Sequence, residues 1–177
     1  MTRKNKTIII ILCVINVVSL LLFSLKNNLL SSNLSRIANQ SKEDYFLFIL
    51  ISLFYGFMLF LLFIDMQLKK YAFLSLFSLL IGGIIPYNYL DTLAISSNLH
   101  LIGGFFSIVA LLILYIQILN KLNILNIKFS NFLKIGLIIV CLIFAYLYGK
   151  YGFINSLSEL SYLYLIIIGV LLLNKVL

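Results

Sequence analysis

The chain predicts an all-α membrane protein, a polytopic bundle of six transmembrane helices with both termini in the cytoplasm. Three observations carry this prediction. Of 177 residues, 63% are hydrophobic and only 10% are charged. The mean hydropathy is +1.17. The apolar residues fall in six continuous runs, each near the length a bilayer demands. Such a composition lies far outside that of a water-soluble domain. It excludes a soluble globule, a disordered chain, a disulfide scaffold and a nucleic-acid module, which need polar surface, paired cysteines or a basic face. Continuous rather than alternating apolar runs also argue against a β-barrel.

The hydrocarbon layer is about 30 Å thick and a helix rises about 1.5 Å per residue, so roughly 20 apolar residues cross it. The first run extends from Ile8 to Leu25, the second from Tyr45 to Ile64 and the third from Tyr71 to Ile85. The fourth extends from Ser97 to Leu119, the fifth from Lys134 to Lys150 and the sixth from Leu157 to Asn174. Residues 1–177 thus form a single integral membrane domain. The third and fifth runs are short, and terminal lysines reaching back to the interface lengthen them. Arg3, Lys4 and Lys6 give the first run the basic start of a signal peptide. Its 18 apolar residues are too many for such a peptide and no A-x-A-like site follows, so it reads as a retained helix.

Helix signals fall at the span ends. Ser41 with Asp44, and Ser156 with Glu159, have the spacing of capping boxes before spans two and six. Asp65 and Lys69 stand four apart in the favoured acid-first order, which would carry span two a turn into water. Pro86 stops span three.

Alternating sides sort the 13 basic residues. Arg3, Lys4, Lys6, Lys69, Lys70, Lys121, Lys128, Lys134 and Lys175 collect on one face, and Lys26, Arg36, Lys42 and Lys150 on the other. Positive loops stay cytoplasmic, so both ends are expected inside, with lysines bordering anionic lipid headgroups rather than a nucleic acid. The loops Lys26–Asp44, Pro86–Ser96 and Lys150–Ser158 then face outward, and chemistry is to be sought there.

The outer-face candidate site is His100, Asp91, Tyr87, Asn88 and Glu159. His100, the single histidine, lies about a turn inside span four, where an ionisable group is costly and has a partner. It reads either as a packed histidine bonded to a neighbouring Tyr or Asn, or as one that contacts a ligand or handles protons. Asp91 and Glu159 could complete a metal triad with it, but the spacings form no ligand motif, and simpler explanations exist: Glu159 as a capping-box residue, Asp91 as a cap of span four or a residue in water. The segment Pro86-Tyr87-Asn88-Tyr89-Leu90-Asp91 combines rings with hydrogen-bonding tips, as an aromatic belt or a recognition surface does. Tyr146, Tyr148, Tyr151, Tyr162 and Tyr164 fit either role.

Ser97, His100, Gly104 and Ser107 form one narrow stripe of small and polar residues on span four, which should face protein. Gly103 with Ser107, Ser78 with Gly82, and Ser52 with Gly56 have the small-xxx-small spacing of helix contacts. Cys13 and Cys141 lie within apolar spans, where packing is the expected role. None of the nucleophile-elbow, phosphate-loop, dinucleotide, zincin or C-x-x-C motifs occurs, and neither metal nor cofactor is expected. Broken midplane helices and charged pore linings are not evident either. The richness in Ile, Lys and Asn points to an AT-rich bacterial genome.

The stretch from Ile84 to Phe106, IIPYNYLDTLAISSNLHLIGGFF, resembles the corresponding region of the DRAM/Sfk-type six-helix membrane proteins and their bacterial relatives. The likeness covers the layout of most of the chain and centres on His100 with the preceding Pro86 and Asp91. It implies a six-helix bundle with an outward loop after span one, and no settled biochemical activity.

The function expected is that of a non-enzymatic multi-pass protein of the cell membrane that binds a lipid headgroup or a partner protein at its outer face. One alternative is a small membrane enzyme or proton-coupled carrier using His100 with Asp91 or Glu159. Another is an assembly or immunity factor that packs its small-residue faces against another membrane protein.

Overall fold

Hydrogen-bond satisfaction inside an apolar layer leaves the backbone few choices, and the regular elements among the described residues are all helices. The computed structural model describes residues 3–26, 29, 30, 32–78, 81, 95–152 and 154–177. These form α1 (Arg3–Ser24), α2 (Leu34–Ala38), α3 (Lys42–Asp65), α4 (Lys69–Ser78), α5 (Ile95–Leu125), α6 (Ile127–Tyr151) and α7 (Ser156–Val176). Among the described residues, five helices are long and apolar enough to cross a membrane: α1, α3, α5, α6 and α7. The expected third span begins on α4 and continues beyond Ser78 into a stretch that, apart from helical Ile81, lies outside the described residues.

α1 packs on α3, α3 on α4, α4 on α5, α5 on α6, α6 on α7 and α7 back on α1, with α5 also touching α7. α7 is the central post, with Leu163, Ile166, Ile167, Val170 and Leu173 in the core. In its most apolar window 56% of the residues are buried, against 11% for α6, so α6 is the outermost helix and turns most of its apolar surface outward. Without a hydrophobic drive between helices in lipid, such a bundle is held by close packing and interhelical hydrogen bonds. Tyr55 donates to the Leu163 carbonyl at 3.0 Å, Tyr115 to that of Leu133 at 2.8 Å, and Asn174 to that of Lys6 at 3.3 Å.

Some boundaries differ from those expected. Spans four and five were to be separated by a loop from Asn120 to Leu133, but α5 continues to Leu125 and α6 begins at Ile127. Lysine is a good helix former, so the lysines that end an apolar run do not end the helix. Asn126 alone makes the turn, its side chain accepting from the Phe129 N–H at 3.2 Å. Asp65 does not pair with Lys69, because the chain leaves the helix at Met66 and turns through Gln67 with φ 61°. Asp65 instead accepts a hydrogen bond from Asn5 at 2.9 Å, joining α3 to α1.

Small residues set the closest contacts. A Cβ on Gly56 would meet the Ser75 carbonyl oxygen of α4 at 2.9 Å, and one on Gly103 would meet that of Ile81 at 2.6 Å. Ser78, beside them on α4, is buried and donates to the Ser75 carbonyl, while Gly82 lies outside the described residues. A Cβ on Gly169 of α7 would meet Ile118, Leu133 and Tyr115 at 3.3–3.6 Å, a close approach not expected from spacing alone. Gly104, next to Gly103, has nothing within 4 Å of its would-be Cβ.

These adjacent glycines should respond in opposite ways to alanine. Gly103→Ala forces α4 and α5 apart and should cost about 1–2 kcal/mol. Gly104→Ala meets no neighbour and should gain up to about 1 kcal/mol of helix propensity. Thermal unfolding midpoints in one detergent check this, the first variant melting below the parent and the second at or above it.

Candidate functional site

The segment linking α1 to α3 folds back over one end of the bundle. Ser41 caps α3, its hydroxyl accepting from the Asp44 N–H at 3.0 Å, as the spacing predicts. Asp44 also pairs with Lys26, so the end of α1 and the start of α3 are tied across the intervening segment. Within that segment lies α2, a helix too short for hydropathy to reveal. Asn33 starts it by accepting from the Arg36 N–H at 2.7 Å, and Leu34, Ile37 and Ala38 bury its inner face.

The first turn of α7 holds α2 in place. A helix start leaves four backbone donors without helical acceptors, and burying them unmet is costly. Here Ser156 N and Oγ both donate to the Ser32 carbonyl, at 2.7 and 2.9 Å, and Leu157 N donates to that of Leu29 at 3.2 Å. Ser158 N donates to the Asn155 side chain at 3.1 Å. The capping box expected from Ser156 and Glu159 is therefore not formed. Asn155, extended at φ −108° and ψ 166°, is the cap, which moves Glu159 one position too far along to answer it. The Glu159 carboxylate instead accepts from the Leu34 N–H of α2 at 2.6 Å.

Beneath α2 lies a cavity of about 820 Å³, walled by α3, α5, α6 and α7. That is near the top of the range for small-molecule pockets, roughly 300–1,000 Å³. Its chemistry changes with depth. At the α2 end stand Ser35, Arg36, His100, Ser158 and Glu159; at the other end the walls are Leu111, Leu112, Leu137 and Val140. From His100 to Leu112 is 12 residues of α5, a depth of about 18 Å.

Of the five residues expected at an outer site, His100 and Glu159 line this one cavity, approaching from α5 and α7. His100 is 8% exposed, in the second turn of α5. Asp91, Tyr87 and Asn88 lie outside the described residues, as does Pro86. Of the stripe on α5, His100, Gly104 and Ser107 line the cavity, whereas the adjacent Gly103 faces Ile81. Gly104 is thus a wall residue rather than the helix-packing residue expected of it. Ser107 donates to the Gly103 carbonyl at 3.0 Å, and Ser52 of α3, also on the wall, to that of Phe48 at 2.9 Å. Arg36 and Ser158 belong to the lining without having been expected at a site, and Tyr162, expected at an aromatic belt or a recognition surface, lines it as well. Leu34, Ile37 and Ala38, spaced at three and four beyond Asn33, are the signal that marks α2 and with it Arg36.

Among the described residues no three His, Cys, Asp or Glu side chains converge as metal ligands. Both cysteines are free, Cys13 buried beside the Met58 sulfur at 3.3 Å and Cys141 on the cavity wall.

If Glu159 holds α2 down, Glu159→Ala should loosen it and Glu159→Gln, which keeps an acceptor oxygen, should not. Loss of a hydrogen bond to a charged acceptor costs about 1.5–3 kcal/mol, so amide exchange at Leu34 should quicken roughly tenfold to a hundredfold in the alanine variant alone. Equal exchange in parent and alanine variant would show that the contact restrains nothing. Comparison of the chain with protein-family models, with curated proteins and with solved structures finds no match.

Proposed function

We propose that the protein crosses the cell membrane six times, with both ends in the cytoplasm, and binds a single membrane lipid without chemically altering it. The headgroup sits under α2 at the outer face and an acyl chain runs down between α5, α6 and α7. The observation that carries this reading is the polarity gradient of the cavity, from Arg36, His100 and Glu159 to an all-aliphatic far end about 18 Å away. An amphiphile matches such a gradient; a small polar solute would leave the far end without apolar contact, and a hydrocarbon would leave the mouth unmet. The surrounding apolar helices put the site where lipid is abundant. The excess of lysines and arginines on the opposite loops supports the orientation.

A second reading draws on the same placement. His100 and Glu159, far apart in sequence, line one cavity, and an acid–base pair of that kind could serve an enzyme or a proton-coupled carrier. It requires turnover or transport that disappears in His100→Ala while lipid remains bound.

Gly104→Leu tests the lipid reading, because Gly104 opens onto the cavity with no neighbour to clash. Native mass spectrometry of protein released from mild detergent should show one phospholipid per chain in the parent. The leucine variant should retain it roughly tenfold less, with its melting temperature preserved. Retention unaffected by the leucine, or a parent that holds no phospholipid, would overturn the reading.

A further inference from the structure

The charges at the cavity mouth narrow the class of lipid. Among the described residues that line the cavity, one guanidinium, Arg36, and one carboxylate, Glu159, stand at the same end, together with the His100 imidazole. The guanidinium suits a phosphate, which it grips through paired N–H donors. The carboxylate presents the opposite requirement. It accepts one neutral N–H, that of Leu34, and no ion pair joins it to a cation among the described residues. A carboxylate lining an apolar cavity at the end of a membrane bundle is costly unless a cation or several donors meet it. An anionic headgroup would add a second negative charge at that point and raise the cost. A headgroup carrying an ammonium a few atoms from its phosphate satisfies both residues at once, its N–H donors reaching the carboxylate while the phosphate reaches the guanidinium.

From this geometry we infer that the ligand is a zwitterionic, amine-bearing phospholipid, held with its ammonium at Glu159 and its phosphate at Arg36; the inference rests on the lipid-binding reading above. The ammonium contact also gives the lipid a hand in fixing α2, since Glu159 already accepts from the first residue of that helix. Headgroup binding and closure of the mouth then depend on one side chain.

The test offers the purified, delipidated full chain an equal mixture of phosphatidylethanolamine and phosphatidylglycerol with identical acyl chains, and counts the bound species by native mass spectrometry. The parent should hold phosphatidylethanolamine over phosphatidylglycerol by roughly fivefold or more. Glu159→Gln, which keeps the acceptor for Leu34, should bring that ratio near one through loss of bound phosphatidylethanolamine, with bound phosphatidylglycerol no lower than in the parent. Arg36→Gln should lower retention of both, since both carry a phosphate. Equal or reversed preference in the parent, or a preference that survives in Glu159→Gln, would overturn the headgroup inference and leave the lipid-binding reading in place. Failure of the parent to hold either lipid would remove both.

Discussion

The fold turns on how the start of α7 meets its backbone donors. Three N–H or O–H groups of Ser156 and Leu157 go to carbonyls of Ser32 and Leu29, some 125 residues earlier in the chain, and Glu159 receives the N–H that opens α2. In an apolar surround each unmet backbone group costs several kcal/mol, about as much as a sizeable core substitution. The described residues of the segment after α1 therefore have a defined position, although only five of them are helical. That position creates the mouth of the cavity, because it brings Arg36 over the space between α5, α6 and α7. The Lys26–Asp44 pair and the Ser41 cap secure the two ends of the same segment.

The cavity exists because the bundle is tight in some places and loose in others. Gly56 and Gly103 let α4 approach α3 and α5 to backbone contact, and Gly169 seats α7 against the α5–α6 pair. On the cavity side of α5, a Cβ on Gly104 would find nothing within 4 Å. The small wall residues Gly104, Ser107 and Ser52 leave volume there that Phe105 and Phe144 line without filling. A packed core at native density would close a void of this size, since its walls forgo dispersion contacts. The lipid chain proposed to lie there would restore those contacts.

Much of the architecture was legible in the sequence. The positions of five of the six expected spans follow from run lengths, the third lying largely outside the described residues, and the Ser41–Asp44 cap follows from a local rule that tertiary structure does not disturb. The errors arose where a local rule competed with a distant partner. Glu159 has the spacing of a capping residue, but Asn155 starts the helix one position early and frees the carboxylate to reach α2. The stripe from His100 to Ser107 has the look of a packing face, and spacing cannot say whether a small residue faces a neighbouring backbone or open space. Gly103 and Gly104 demonstrate both outcomes at adjacent positions. α2 was missed because five residues give too little periodicity to register, and so Arg36 was counted only as a loop charge. Tyr87, Asn88 and Asp91 lie outside the described residues, and their part in the site rests on the sequence.

The chain contains no tryptophan, so a single one reports without background. Two sites on α6 suit this purpose: Phe144 lines the cavity, and Phe132, 59% exposed, lies on the helix away from it. The direct measurement is fluorescence quenching of Phe144→Trp and Phe132→Trp by a phospholipid brominated in its acyl chains, titrated into detergent-solubilised protein. Lipid held in the cavity should quench the Phe144→Trp variant saturably, at about one lipid per chain, while Phe132→Trp responds only in proportion to total lipid. Parallel, unsaturating quenching of both variants would show that the space under α2 holds no lipid of its own.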